Sequence, residues 1–336
     1  MSIPNASLCQ RPLRTVLIGV SLEGESEQVM RSGLAVARAA GAQVLFVHAL
    51  PGEPRLPSLE IGLGDDYFQM LIADCKEKLQ SQVERLGIGA SELAGVEVVA
   101  GVPHRVLIDA AHRAGADLIV VGATGSGPFA AELLGSTADR VLRKAVCPVL
   151  LVRGDLRVPL RRVLAPVDLS ELSGDAFRCG MHLLAQISPD TAAGNVEVRA
   201  VYASSGLDAA THQRRTPGAR SSEQVERREA EELLHFVLEN RCDSTFDVET
   251  ALLPGEARSE ILRELDEHPV DLVVLGTHGR GGLDRLVLGS VAATVARKAP
   301  CSVLLISPDA AAAEDIAEAI VNLTTPAWHR EAAPGA

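Results

Sequence analysis

Apolar residues along this chain come in short runs rich in β-branched side chains, separated by longer amphipathic stretches. In the first half the runs fall at residues 15–20, 43–48, 96–99, 118–121 and 149–152. In the second they fall at 163–167, 196–201, 246–250, 272–275 and 303–306. Runs that are apolar on both faces suit strands buried within a parallel sheet. The intervening stretches carry helical periodicity, as at 65–86 and 223–240, where Leu71, Cys75, Leu79, Gln82 and Leu86 trace most of one stripe. The crossovers are long enough for right-handed βαβ units. The pattern therefore predicts two five-stranded, doubly wound α/β domains.

The halves are copies of one another. Gly122-Ala-Thr-Gly125 recurs as Gly276-Thr-His-Gly279, Gly135-Ser136 as Gly289-Ser290, Cys147 as Cys301, Asp117 as Asp271 and Gly101 as Gly255, each 154 positions later. Upstream the offset changes: Val16-Leu17 matches Val163-Leu164 at 147. A changing offset reflects loops of different length in two diverged copies. The expected divisions are residues 1–156, 157–310 and a tail at 311–336. The join at 153–159 is short and polar, so the two copies should sit together. The loops at 51–64 and 204–222 are rich in Pro, Gly and Ser, and read either as lids or as variable surface connections. The tail has helical composition at 311–323, with Ile316, Ile320 and Leu323 on one stripe, and no ordered pattern from 326 onward.

Composition narrows the function. The 336 residues are 47% hydrophobic and 23% charged, as in a folded globular chain. A net charge of −12 argues against nucleic acid or an anionic membrane as partner, and 3% aromatics argue against a base-stacking platform. The six cysteines form no CxxC pair, and their scatter fits a reducing cytosol. No run is apolar and long enough to span a bilayer, and residues 1–10 lack a signal-type apolar segment, so a cytoplasmic location is expected.

An open α/β sheet binds ligands beyond the carboxyl ends of its strands, where strand order reverses. Here that point is expected between the first and fourth strands of each copy. In the second copy the first strand ends Ala165-Pro166-Val167-Asp168. The fourth leads into Gly276-Thr277-His278-Gly279-Arg280, and G-x2-G-x9-G-S closes at Gly289-Ser290. Gly276 and Gly279 let the backbone turn and expose amides, and Gly289 permits close approach of a phosphate. Ser290 is expected to cap the last helix, whose free N–H groups and positive dipole end suit an anion. Arg280 and His278 can add charge. Asp168 can accept hydrogen bonds from ribose hydroxyls, or it can cap a helix starting near Ser173.

This constellation resembles the ATP-binding type of universal stress protein. The glycine pattern stands at full spacing in both copies, with Gly122, Gly125, Gly135 and Ser136 in the first. The resemblance covers about residues 12–308 and implies two tandem Rossmann-like, doubly wound, five-stranded parallel-sheet domains. It implies ATP or a related adenine nucleotide as ligand, with Mg2+ as its companion ion, and a stress-response role. By matching positions it implies Pro166, Asp168, Val201, Gly276, Gly279, Gly289, Ser290 and Val291 as contacts, beside Thr277, His278 and Arg280 in the same loop. It also implies domains joined at the edge-placed fifth strands, within the chain or between two chains as a homodimer.

The first copy departs from the pattern. Ser21 stands where the second has Asp168, Gly19 where it has Pro166, and the loop at 124–134 holds no Lys, Arg or His but carries Glu132. Losing a charged hydrogen-bond partner costs roughly 1.5–3 kcal/mol, about ten- to a hundredfold in affinity. The second copy is thus expected to bind more tightly.

Other signatures are missing. No GxxxxGK[ST], GxGxxG or GxSxG stands in the required place. No evident base is placed to activate water against a terminal phosphate, so the nucleotide is expected to be held. A nucleotide-free association module and a slow hydrolase are the alternatives. Cys147 and Cys301 read as a redox pair or as small apolar residues entering the fifth strands. His48, His104, His112 and His182 show no metal spacing, and the arginines at 214, 215, 220, 227 and 228 read as a solvated face.

Overall fold

The computed structural model describes residues 11–22, 26–52, 64–124, 134–188, 196–204, 222–240, 246–279 and 288–308. The first copy runs β1 (Thr15–Gly19), α1 (Ser26–Ala40), β2 (Gln43–Leu50), α2 (Gly64–Arg85), β3 (Leu93–Ala100), α3 (Pro103–Ala114), β4 (Leu118–Gly122), α4 (Ser136–Lys144) and β5 (Val149–Val152). The second runs β6 (Arg162–Val167), α5 (Glu171–Ile187), β7 (Glu197–Ser204), α6 (Ser222–Asn240), β8 (Asp247–Pro254), α7 (Ala257–Glu267), β9 (Leu272–Gly276), α8 (Ser290–Lys298) and β10 (Ser302–Ile306).

The strands form one ten-stranded sheet in the order β3-β2-β1-β4-β5-β10-β9-β6-β7-β8. Within each copy every pairing is parallel, and the order reverses between the first and fourth strands as expected. The two five-stranded sheets are fused at their fifth strands. There β5 and β10 run antiparallel, with Leu150 opposite Leu304 and Leu151 opposite Val303. Pairing within the chain thus consumes both of these edges.

Alternation along the strands explains the two-sided apolar runs. Val16, Ile18, Val44 and Phe46 face one layer with α1, α2, α5 and α6, while Leu17, Leu45 and Val47 face the other with α3, α4, α7 and α8. On α2 the periodic stripe is only partly buried: Leu79 is its fully covered member, and Val83, off the stripe, is the other buried residue of the helix's described side chains. Both cores continue across the seam, and α1 packs on α5. Entry to the first strand of each copy is held by the repeated aspartate. Asp117 Oδ2 accepts the N–H groups of Arg14 and Thr15 at 2.8 and 3.0 Å. Asp271 Oδ2 accepts those of Arg161 and Arg162 at 2.7 and 2.9 Å.

Cys147 and Cys301 are free thiols packed just ahead of the fifth strands, as the small-apolar reading expects. Burial pushes the Cys147 thiol up to about 12 and Cys301 to about 11. Cys75 is also free, but Cys179, buried on α5, is disulfide-bonded. That bond runs against the expectation of a wholly reduced set. Arg227 and Arg228 on α6 pair with Glu231 and Glu232 one turn on and stay exposed, a solvated face as read. No described helix is long and apolar enough to cross a membrane. The expectations for loops 51–64 and 204–222 and for the tail fall largely or wholly outside the described residues.

Raised thiol pKa values favour the neutral form in the folded chain. Their stabilising effect is whole below the ordinary value of 9.0 and is lost as pH rises toward 12. A thiol-specific chromophoric reagent at pH 8 should therefore label Cys75 before Cys147 and Cys301, which should react fully only after denaturation. Fast labelling of Cys147 in the folded protein would contradict its burial.

Candidate functional site

The site begins where two neighbouring strands part. β6 and β9 pair at only two positions, Val163 with Leu272 and Leu164 with Val273. Pro166 follows, and a proline has no N–H to give to a ladder. On its other side β6 stays paired with β7 through Val167, with Pro166 opposite Val201. The carboxyl ends of β6 and β9 thus diverge into a crevice at the expected reversal point.

Asp168 stands on the β6 lip. Its Oδ1 accepts hydrogen bonds from the Ser170 N–H at 3.0 Å and the Ser170 hydroxyl at 2.5 Å. Ser170 in turn is the N-cap of α5, its side chain accepting from the Ser173 N–H. The helix therefore starts at Glu171 rather than near Ser173, and Ser170 is its cap. Asp168 braces that cap instead of serving as one. The intervening Leu169 has φ of 61°, a left-handed turn between the strand end and the helix cap. A Cβ added to Gly279 would collide with Asp168 Oδ2, so the carboxylate lies directly against the glycine loop.

The opposite lip is that loop. Thr277 is buried, and its N–H donates to Ile306 O at 2.9 Å. Its hydroxyl lies 2.9 Å from His278 Nδ1. His278 is half-buried, and its Nε2 is shut away from solvent with no hydrogen-bond partner among the described residues. Gly289 returns to the stem, donating its N–H to Thr277 O at 2.8 Å. A Cβ there would sit 3.0 Å from the same oxygen, so only glycine fits without moving backbone. Gly289 is also the N-cap of α8, with no side-chain cap. Ser290 is thus the first helical residue, exposed, and not the cap the sequence suggested. The first amides of a helix have no intrahelical acceptor, so those of Ser290 and Val291 end the helix facing outward as donors.

Of the expected contacts, the structure brings together Pro166, Asp168, Gly276, Thr277, His278, Gly279, Gly289, Ser290 and Val291. Val201 is 1% exposed, so its side chain belongs to the core. Val291 likewise packs its side chain on the core. Arg280 and Gly125 fall outside the described residues.

The first copy repeats the frame but not the chemistry. Gly122 ends β4, the Gly135 N–H returns to Ala123 O at 2.9 Å, and Gly135 caps α4 without a side-chain bond. Ser136 is again the first helical residue, and a Thr124–Leu134 bridge closes the stem. At Gly19 a Cβ would meet the side chains of Leu107 and Val121 at 3.0 Å, so neighbours already close over that position. Buried His48 ties its Nδ1 to Val20 O at 2.8 Å. Burial and nearby arginine and lysine charges lower the pKa of His104, which fills the core rather than a metal site. Sequence reasoning missed Asp139, an acid in the first turn of α4 where α8 has Ala293. Comparison at the 154 offset would have exposed it.

A doubly wound sheet with a glycine loop and a helix start at its reversal point defines the protein as one of the open-sheet α/β class. The model of the universal stress protein family matches residues 12–153 and again 159–307. The chain belongs to that family, as a tandem member. A universal stress protein of Thermus aquaticus is 32% identical over 145 residues, covering 42% of this chain and 98% of the relative. One from Mycobacterium tuberculosis is 27% identical over 315 residues, covering 91% of this chain and 98% of its own. Among solved structures, a protein of unknown function from Pseudomonas aeruginosa matches with a TM-score of 0.60 at 18% identity, covering 93% of this chain and 99% of that one.

The bracing at Ser170 has a measurable consequence. Ser170→Ala should lower stability by about 0.5–2 kcal/mol through loss of the cap, read as a fall in melting temperature. An unchanged melting temperature would mean that the Asp168–Ser170–Ser173 chain carries no load.

Proposed function

We propose that the second copy holds an adenine nucleotide, ATP with its Mg2+, and that the protein acts as a nucleotide-responsive stress regulator in the cytoplasm. The observation that carries this reading is Asp168 set against Gly279 across the parted β6 and β9, beside the outward amides of α8. Gly279 and Gly289 belong to a cradle of bare backbone with no room for a Cβ, which would meet Asp168 Oδ2 at the first and Thr277 O at the second. Such a cradle suits phosphates approached by backbone amides, and a carboxylate beside it suits vicinal hydroxyls.

In this reading the Ser290 and Val291 amides bind phosphate oxygens, and Asp168 Oδ2 orients the ribose. Oδ1 keeps its hold on Ser170, so ligand and α5 share one carboxylate. Among the described residues no group of three or more His, Cys, Asp or Glu is arranged to hold a metal ion. Mg2+ would therefore arrive on the phosphates themselves. The carboxylate at the crevice is engaged in structure, and we take the nucleotide to be held rather than rapidly hydrolysed.

For the first copy we favour an association role. Ser21 replaces the carboxylate, Leu107 and Val121 close over Gly19, and the first turn of α4 carries an Asp139–Arg143 ion pair where α8 has Ala293. The division at residues 156 and 157, with a separate tail from 311, belongs to this reading. A homodimer would need a surface other than the seam, because β5 and β10 already pair with each other.

Calorimetric titration of nucleotide-stripped protein with ATP, ADP and AMP tests the proposal. Gly289→Val should abolish the tight binding step, Asp168→Ala should weaken it by about ten- to a hundredfold, and Gly135→Val should leave it nearly unchanged. Equal losses from Gly289→Val and Gly135→Val would defeat the asymmetry, and no heat with any nucleotide would defeat the reading.

A further inference from the structure

Helix α8 is anchored at its far end by the other copy. Its buried face is small, made of Ala292, Val295 and Ala296. The last carbonyls of a helix lack intrahelical donors. Two of them, Ala296 O and Arg297 O, accept from one guanidinium nitrogen, Arg153 Nη2, at 3.2 and 3.1 Å. Arg153 follows β5, across the seam from α8. Its main chain is fastened there too: the N–H donates to Ser302 Oγ at 3.1 Å, and that hydroxyl donates to Arg153 O at 3.3 Å. Ser302 is 1% exposed, and among the described residues the Arg153 guanidinium bonds only to this helix end, its Nε buried without a partner.

The arrangement is reciprocal but unequal. Ser307 stands 154 positions after Arg153 and follows β10 as Arg153 follows β5. Its hydroxyl donates to Ala145 O, at the end of α4, at 3.2 Å. Each copy's last strand thus runs past the seam and secures the other copy's glycine-loop helix. The second copy receives a cation bonded to two carbonyls, and the first receives one neutral hydroxyl. The stronger hold falls on the copy that carries Asp168.

We propose that Arg153 is a positioning residue for nucleotide binding, through which the first copy fixes the phosphate-facing end of α8 in the second. This rests on the nucleotide reading above. A nine-residue helix is about 13 Å long and nearly rigid, so its amide end follows any tilt of its carboxyl end. Misplacement of donors by a fraction of an ångström is enough to weaken a preorganised contact. A cation at the carboxyl end also favours the dipole whose positive end meets the phosphates.

The test titrates the full chain and its Arg153→Ala and Arg153→Lys variants with ATP and, separately, with adenosine, which has no phosphate for α8 to hold. Arg153→Ala should weaken ATP by about three- to tenfold and leave adenosine within about twofold. Arg153→Lys should recover part of the loss. ATP binding unaltered in Arg153→Ala would overturn the positioning role while leaving the nucleotide reading intact. Parallel loss of ATP and adenosine would also overturn it, as general damage to the fold. Failure of the wild-type chain to bind either ligand would remove the nucleotide reading itself.

Discussion

The whole arrangement depends on β6 and β9 separating after two paired positions. While strands stay paired, their backbone groups satisfy each other. Once they part, the carboxyl ends must find other partners. On the β6 side the chain turns through Leu169 into a serine-capped helix, which leaves one oxygen of Asp168 against the loop. On the β9 side a glycine loop folds back on Thr277 and hands over to α8 with no side chain at its cap. In the function we propose, that carboxylate serves a sugar and the first amides of α8 serve a phosphate. In the first copy β1 and β4 part after three paired positions, with Gly19 and Ser21 where the second copy has Pro166 and Asp168.

The seam between β5 and β10 makes two repeats into one body. Antiparallel pairing of the fifth strands removes two edges that would otherwise invite association. Because each strand's continuation reaches the opposite copy's helix, the seam also ties the two crevices into one mechanical unit. The apolar layers on both sides of the sheet run through it, so neither copy is an isolated domain with a solvated flank at that edge.

Much of this was legible in the sequence because its signals are periodic or repeated. Two-sided apolar runs announced buried parallel strands, and the fixed offset of 154 located both glycine loops. The reversal point followed from topology alone. What escaped was local. Ser170 took the capping role because the chain turns at Leu169, a non-glycine residue at positive φ that no pattern announces. Gly289 replaced Ser290 as the cap because a tight return to Thr277 O fixes the backbone there. The asymmetry at Asp139 was open to the repeat comparison. Arg153 was not, because its contacts join residues 143 and 144 positions apart across a seam whose geometry only the folded sheet supplies.

A crystal structure of the full chain grown with ATP and Mg2+ would test the central claim most directly. The account expects density in the second crevice, with phosphate oxygens on the Ser290 and Val291 amides and ribose hydroxyls on Asp168. A second crevice filled by its own side chains, with the nucleotide absent or bound elsewhere, would contradict it.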